Sequence, residues 1–152
     1  MDKHNHIQED LLTVWLQLSA VLNNDRMVKS MSFNEAFVCN LLYQAKQNPQ
    51  SDMLTASMLC ERTQMLKSQM NKLLNELEDK QLIIREHSTS DRRKVYVYLN
   101  EEQEDLFLQQ HAQIIQFVKQ LSEQMGEDRI VQVTELLGEM VDAIKQVKRE
   151  DK

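Results

Sequence analysis

One stretch, Leu54–Leu99, constrains this chain more than any other. It reads LTASMLCERTQMLKSQMNKLLNELEDKQLIIREHSTSDRRKVYVYL. Two short helical patterns lie close together, and the second, about Leu66 to Asp79, carries Leu66, Met70, Leu73, Leu74 and Leu77 as one apolar stripe at helical spacing. Two strand-like runs follow, Leu82–Glu86 and Val95–Leu99, joined by a short polar and basic loop. A helix-turn-helix followed by a two-stranded hairpin, or wing, is the arrangement that accommodates all four segments.

The polar residues of that stretch have a chemistry of their own. Lys67, Ser68, Asn71, Lys72 and Asn75 fall opposite the apolar stripe, and Gln69 flanks them. Asn and Gln pair bidentately with adenine, Lys reaches guanine or phosphate, and Ser contacts either, so this face suits a major groove. An ordinary solvated helix face would look the same, and the wing is what separates the two. Asp91-Arg92-Arg93-Lys94 gathers three cations at a hairpin tip, with Arg85 on the facing strand, and such a tip enters a minor groove or clamps phosphates. Asp91 would be repelled by phosphate, so its expected role is to orient an Arg through a charge-assisted pair. With Thr55 and Arg62 of the preceding helix, the candidate DNA-contacting set is Thr55, Arg62, Lys67, Ser68, Gln69, Asn71, Lys72, Arg85, Arg92, Arg93 and Lys94. Thr55 is also a good cap for its helix.

The motifs LTASMLCERT, KSQMNKLLNELEDKQLI and REHSTSDRRKVYVYL resemble the winged helix-turn-helix of the MarR (multiple antibiotic resistance regulator) family, whose wing signature falls on Asp91, Arg92 and Arg93. The length and the flanking helices agree as well. Three positions depart from the family pattern. Gln64 and Gln81 stand where Gly is usual, so each must either adopt positive φ or use a different turn. Leu66 replaces the usual Ser cap and cannot accept from a backbone N–H. The resemblance implies a mainly α fold, with a winged helix-turn-helix, a two-stranded β wing and a helical dimerisation lobe built from both termini. It implies a homodimeric repressor whose hold on its operator is relieved by a small molecule. No nucleophile–base constellation, phosphate-cradling Gly loop or paired catalytic carboxylates stands out, so no enzyme and no cofactor are expected. Two-fold symmetry predicts a pseudo-palindromic operator on double-stranded DNA.

Outside this stretch the chain reads as long helices. Of its 152 residues only two are Gly and one is Pro. From about His6 to Asn23, Ile7, Leu11, Val14, Leu18 and Val21 step by four and three, with Trp15 widening the stripe. Ser32-Phe33-Asn34-Glu35 fits a capping box that opens a helix to about Lys46, and Asn48–Asp52 ends it. Asn100-Glu101-Glu102-Gln103 resembles a second box. Beyond it Phe107, His111, Ile114, Val118, Leu121 and Met125 line one helix, Gly126 breaks it, and Ile130, Val133, Leu137, Met140, Ile144 and Val147 form a heptad-like seam. Leu11, Val14, Leu18, Ile130, Val133, Leu137, Met140 and Ile144 are the candidate dimerisation residues. The expected division is residues 1–31 and 100–152 for dimerisation and 32–99 for DNA binding.

The net charge of −6 is the wrong sign for a DNA binder until it is divided. Thr55–Leu99 holds 8 Lys/Arg against 6 Asp/Glu, and the remainder holds 10 against 18. A net of +2 beside a net of −8 directs a polyanion to one lobe and away from the other. No apolar run approaches membrane-spanning length and the first residues lack a signal-peptide core, so a cytoplasmic protein is expected. Cys39 and Cys60 are read as buried thiols, a redox-sensing regulator being the alternative that the MarR resemblance raises. His111 has no His or Cys three or four residues away to complete a metal site. A helical protein-interaction adaptor with a winged domain that no longer binds DNA is the second class of function, suggested by the overall acidity and the missing turn glycines.

Overall fold

The computed structural model describes residues 3–24 and 30–150. Its elements are α1 (Lys3–Asn24), α2 (Phe33–Gln47), α3 (Ala56–Thr63), α4 (Lys67–Asp79), β1 (Ile83–His87), β2 (Val95–Leu99), a one-turn 3-10 helix at Glu101–Gln103, α5 (Glu104–Met125) and α6 (Glu127–Glu150). The mainly helical winged helix-turn-helix expected from the sequence is present. Two compact units divide after Gln113 within α5.

In the first unit the core is drawn from α2 through the start of α5. Val38, Cys39 and Leu42 of α2, Leu59 of α3, the α4 stripe, Leu54, Leu82, Ile83, Val97, Leu99 and Phe107 are all buried. The α4 stripe is Met70, Leu73, Leu74 and Leu77 as read from the sequence; Leu66 lies outside it, because it is the N-cap and not a helical residue. β1 and β2 pair antiparallel, Ile83 opposite Leu99 and Arg85 opposite Val97. The Leu54 carbonyl accepts from the Val97 N–H at 2.9 Å and Thr55 bridges Tyr96, so the start of α3 is stitched to the wing.

α2 opens with the expected capping box: Ser32 Oγ accepts from the Glu35 N–H and Glu35 accepts from the Ser32 N–H at 2.8 Å. Glu35 does more than the sequence suggests. It is buried, and its second oxygen accepts from Lys80 Nζ at 2.6 Å, while the same ammonium reaches the Ser30 carbonyl at 3.0 Å. A buried carboxylate persists only when paired, and this pair fastens the start of α2 to the end of α4.

Both glutamines at the usual glycine positions take the left-handed conformation, φ 59° at Gln64 and φ 60° at Gln81. At the end of α4 the bonding is a Schellman motif: the Gln81 N–H reaches the Glu78 carbonyl at 2.8 Å and the Leu82 N–H the Leu77 carbonyl at 3.0 Å. Leu77 and Leu82 are both buried, supplying the apolar contact that accompanies this cap. Because Leu82 is spent closing the helix, β1 begins at Ile83, one residue later than its apolar run. Asn100 does not form the predicted second box. Its Oδ1 accepts from the Glu102 N–H and its Nδ2 donates to the Gln81 carbonyl, so it opens a 3-10 turn and ties it to the Schellman loop.

Tyr43, Phe107 and His111 stack with ring centroids 5.0–5.5 Å apart, which makes His111 part of an aromatic cluster. In the second unit Gly126, at φ 89°, joins the helices. Along α6 Ile130, Val133, Met140 and Ile144 are half-buried and Leu137 is exposed. The apolar side chains of α1, Leu11, Val14 and Leu18 included, are exposed apart from the half-buried Leu22.

Candidate nucleic-acid interface

The α4 helix places its polar residues as a continuous exposed row. Lys67, Ser68, Gln69, Asn71, Lys72 and Asn75 all face solvent because the stripe opposite them is buried. Arg62, in the last turn of α3, is exposed too. Thr55 is occupied as the α3 cap, its Oγ1 accepting from the Met58 N–H at 3.2 Å.

Gln69 also has a structural task. With Leu66 at the N-cap no side chain caps α4 from outside. Instead Gln69 Oε1 accepts from the Leu66 N–H at 3.1 Å, the reverse half of a capping box. A bidentate pair with adenine would require that oxygen to leave the main chain, while Nε2 stays available as a donor.

The wing is joined to α4 through Arg85. Its guanidinium pairs with Glu78 and donates to Asn75 Oδ1 at 2.7 Å. The hydrogen bond from Arg85 holds the Glu78 carboxyl below its ordinary range. Arg85, expected to offer a cation to DNA, therefore meets a carboxylate first and ties the wing to α4. The two elements enclose a groove of about 340 Å³ lined by Asn71, Leu74, Glu78, Arg85, His87 and Val95, with Ala56 at the start of α3.

The wing tip is organised by a residue the sequence did not single out. Ser88 is buried, its Oγ accepts from the Ser90 and Asp91 N–H groups at 3.3 and 3.2 Å, and its own N–H donates to the Lys94 carbonyl at 3.0 Å. The Ser88-Thr89-Ser90-Asp91 run was the available signal, since Ser and Asp close turns on neighbouring backbone. Asp91 Oδ1 accepts from the Arg93 N–H at 3.0 Å. The expected guanidinium partner is absent from the ion pairs of the described residues, so Asp91 shapes the main chain that carries Arg93 instead of gripping an Arg head. Arg92, Arg93 and Lys94 are left exposed at the tip.

Cys39 is not a ready thiolate. Cys39 is buried, and burial together with nearby Glu35 pushes its thiol up to about 12, which removes the nucleophilic form at neutral pH. Cys60 is half-buried in α3. Among the described residues no group of His, Cys, Asp and Glu is placed to hold a metal, and no helix is long and apolar enough to cross a membrane.

A family model described as the transcriptional regulator SarA/Rot matches residues 26–110. The chain belongs to the SarA/Rot family of transcriptional regulators. That match covers the whole winged unit, from before α2 into α5, and the family is one of regulators, not enzymes. No curated protein matches the chain by sequence. Solved structures share its fold at low identity. AbsC, a MarR family transcriptional regulator from Streptomyces coelicolor, is 18% identical, with 95% of this chain and 96% of that one covered and a TM-score of 0.70. MepR of S. aureus, solved with DNA, is 19% identical over 86% of this chain and 96% of its own, at 0.69. PcaV from Streptomyces coelicolor, solved with its natural ligand, is 16% identical over 92% of each chain, at 0.63. The MarR resemblance thus holds in the fold of this SarA/Rot regulator.

Proposed function

We propose that this regulator binds double-stranded DNA as a homodimer, acts as a repressor, and is released by a small molecule. The observation that carries the DNA reading is the exposed polar row of α4 standing beside a preformed cationic wing tip, on one unit of an otherwise acidic chain. The row would read bases in the major groove, and Arg92, Arg93 and Lys94 would hold the backbone or the minor groove. The likeness to a regulator solved with DNA supports this.

A second copy is supported by the apolar side chains that α1, α5 and α6 leave in water, among them Leu11, Val14 and Trp15, Phe117 and Leu121, and Leu137 and Val141. An isolated chain rarely exposes so much apolar surface without a partner. Two copies related by a two-fold axis call for a pseudo-palindromic operator with half-sites about one helical turn, roughly 10 bp, apart. Residues 1–31 and 100–152 are assigned to the dimer and 32–99 to DNA. A DNA-binding role goes with the cytoplasmic location expected from the sequence.

For the small molecule, a cavity of about 170 Å³ opens between α2, the loop before α3 and β2, floored by Leu42, Leu54, Val97 and Leu99, with Lys46 and Glu101 at its polar side. Its size suits a single ring. An occupant would press on the Leu54–Val97 hydrogen bond that ties α3 to the wing, and PcaV gives a fold-mate with a bound ligand.

Gel shifts with the DNA upstream of the chain's own coding region, over a salt series, together with sedimentation of the free protein, test the reading. Salt-sensitive, sequence-dependent binding by a dimer is expected. Absence of any shift at low salt would favour the adaptor reading, for which the Glu78–Arg85 pairing and the net charge of −6 speak.

A further inference from the structure

The N-terminal end of the recognition helix carries an apolar side chain that its own fold does not use. Leu66 is the N-cap of α4, it makes no side-chain capping bond, and it is 68% exposed. Ser68 and Gln69 in the next turn are exposed as well. Water is a poor environment for an isobutyl group, and a capping Ser at this position would also stabilise the helix. The chain forgoes that cap and instead closes the helix from within, through Gln69 Oε1 on the Leu66 N–H.

In a helix-turn-helix bound to DNA, the N-terminal residues of the recognition helix approach the base edges. The major groove offers one apolar group, the C5-methyl of thymine. Resting on the DNA-binding reading above, we infer that Leu66 is a specificity-determining residue that selects thymine by packing on its 5-methyl group. Gln69 holds Leu66 in place and contributes a donor through Nε2, not a bidentate adenine pair. The two residues act as one unit: the bond that keeps Gln69 on the main chain keeps the Leu66 side chain directed outward from the helix end.

The test compares protein and DNA changes in a cycle. A duplex selected from a random pool by the full chain is prepared with thymine and again with deoxyuridine, which lacks only the methyl. The wild-type protein should lose about fourfold in affinity per contacted methyl on the uridine duplex, the effect of leaving one CH₂-sized group unburied. Leu66→Ser and Leu66→Ala should bind the two duplexes equally, and Leu66→Met should retain the preference. Leu66→Ser restores a side-chain cap, so a loss of thymine preference in that variant with unchanged helix content is not fraying. An equal uridine penalty in wild type and Leu66→Ser, or no penalty in wild type, overturns the inference while leaving DNA binding intact. If no duplex is selected from the pool, the DNA-binding reading falls first and takes this inference with it.

Discussion

The winged unit and the flanking helices spend the same kind of residue in opposite ways. Between Met31 and Phe107 the large apolar side chains are mostly inside, on α2, α3, α4 and the wing. Along α1, the C-terminal part of α5, and α6 they are mostly outside. The winged unit has a core of its own, so its stability is a property of one chain. The helical arms have amphipathic faces that one chain leaves open, so in the proposed dimer their stability becomes a property of concentration. Changes in one region should therefore alter unfolding, and changes in the other should alter association.

The largest expected effect is in the arms. Leu137→Asp puts a charge in the α6 seam, where burial without a partner costs several kcal/mol. Sedimentation should show monomer, with DNA binding lost as a consequence; a variant that stays dimeric would show that this seam is not the interface. Leu77→Ala, in the α4 stripe, should cost about 2–5 kcal/mol in denaturant unfolding, and at protein concentrations where it remains folded it should remain dimeric. Dissociation of folded Leu77→Ala protein would blur the division between the two regions.

Smaller effects lie within the interface and sharpen the contrast from the other side, since they should leave both folding and dimerisation unchanged. Arg93→Ala should weaken binding to all DNA about equally and reduce the salt slope by roughly one phosphate contact. Glu78→Gln tests the Arg85 tie. Its carboxyl is held low by Arg85, so the ion pair is intact at neutral pH and is lost only as acid passes below the ordinary carboxylate range. Wild-type affinity through that acid range should fall toward that of Glu78→Gln; parallel curves would remove the tie from the account. Asp91→Ala should weaken binding modestly, because the Arg93 main chain loses its carboxylate partner, even though a negative charge is removed. Tighter binding at fixed salt would mean that charge alone matters there.

How far the sequence reached depends on the range of the interaction. Periodicity located α4 and its buried stripe, and the Ser32–Glu35 box was visible because both partners lie within four residues. The wing signature located Arg92 and Arg93. What the sequence did not disclose were partners brought together by folding: Lys80 on Glu35 across 45 residues, Glu78 and Asn75 on Arg85, Asn100 on the Gln81 carbonyl. Gln69 shows a second limit. A residue type suited to reading bases is equally suited to closing a helix, and only coordinates show which atom is engaged. The two glutamines at positive φ show a third: the turn geometry of the fold prevailed over the residue placed in it.

The Ser88-centred tip bears on the thermodynamics of recognition. A loop that became ordered only on meeting its target would lose roughly 1–2 kcal/mol of backbone freedom for each residue immobilised. Here the turn is closed by short-range bonds in the free protein, so that loss falls in folding and not in association. The wing should then behave as a stiff charged probe: its contribution should follow counterion release, with little of the unfavourable entropy that marks coupled folding and binding.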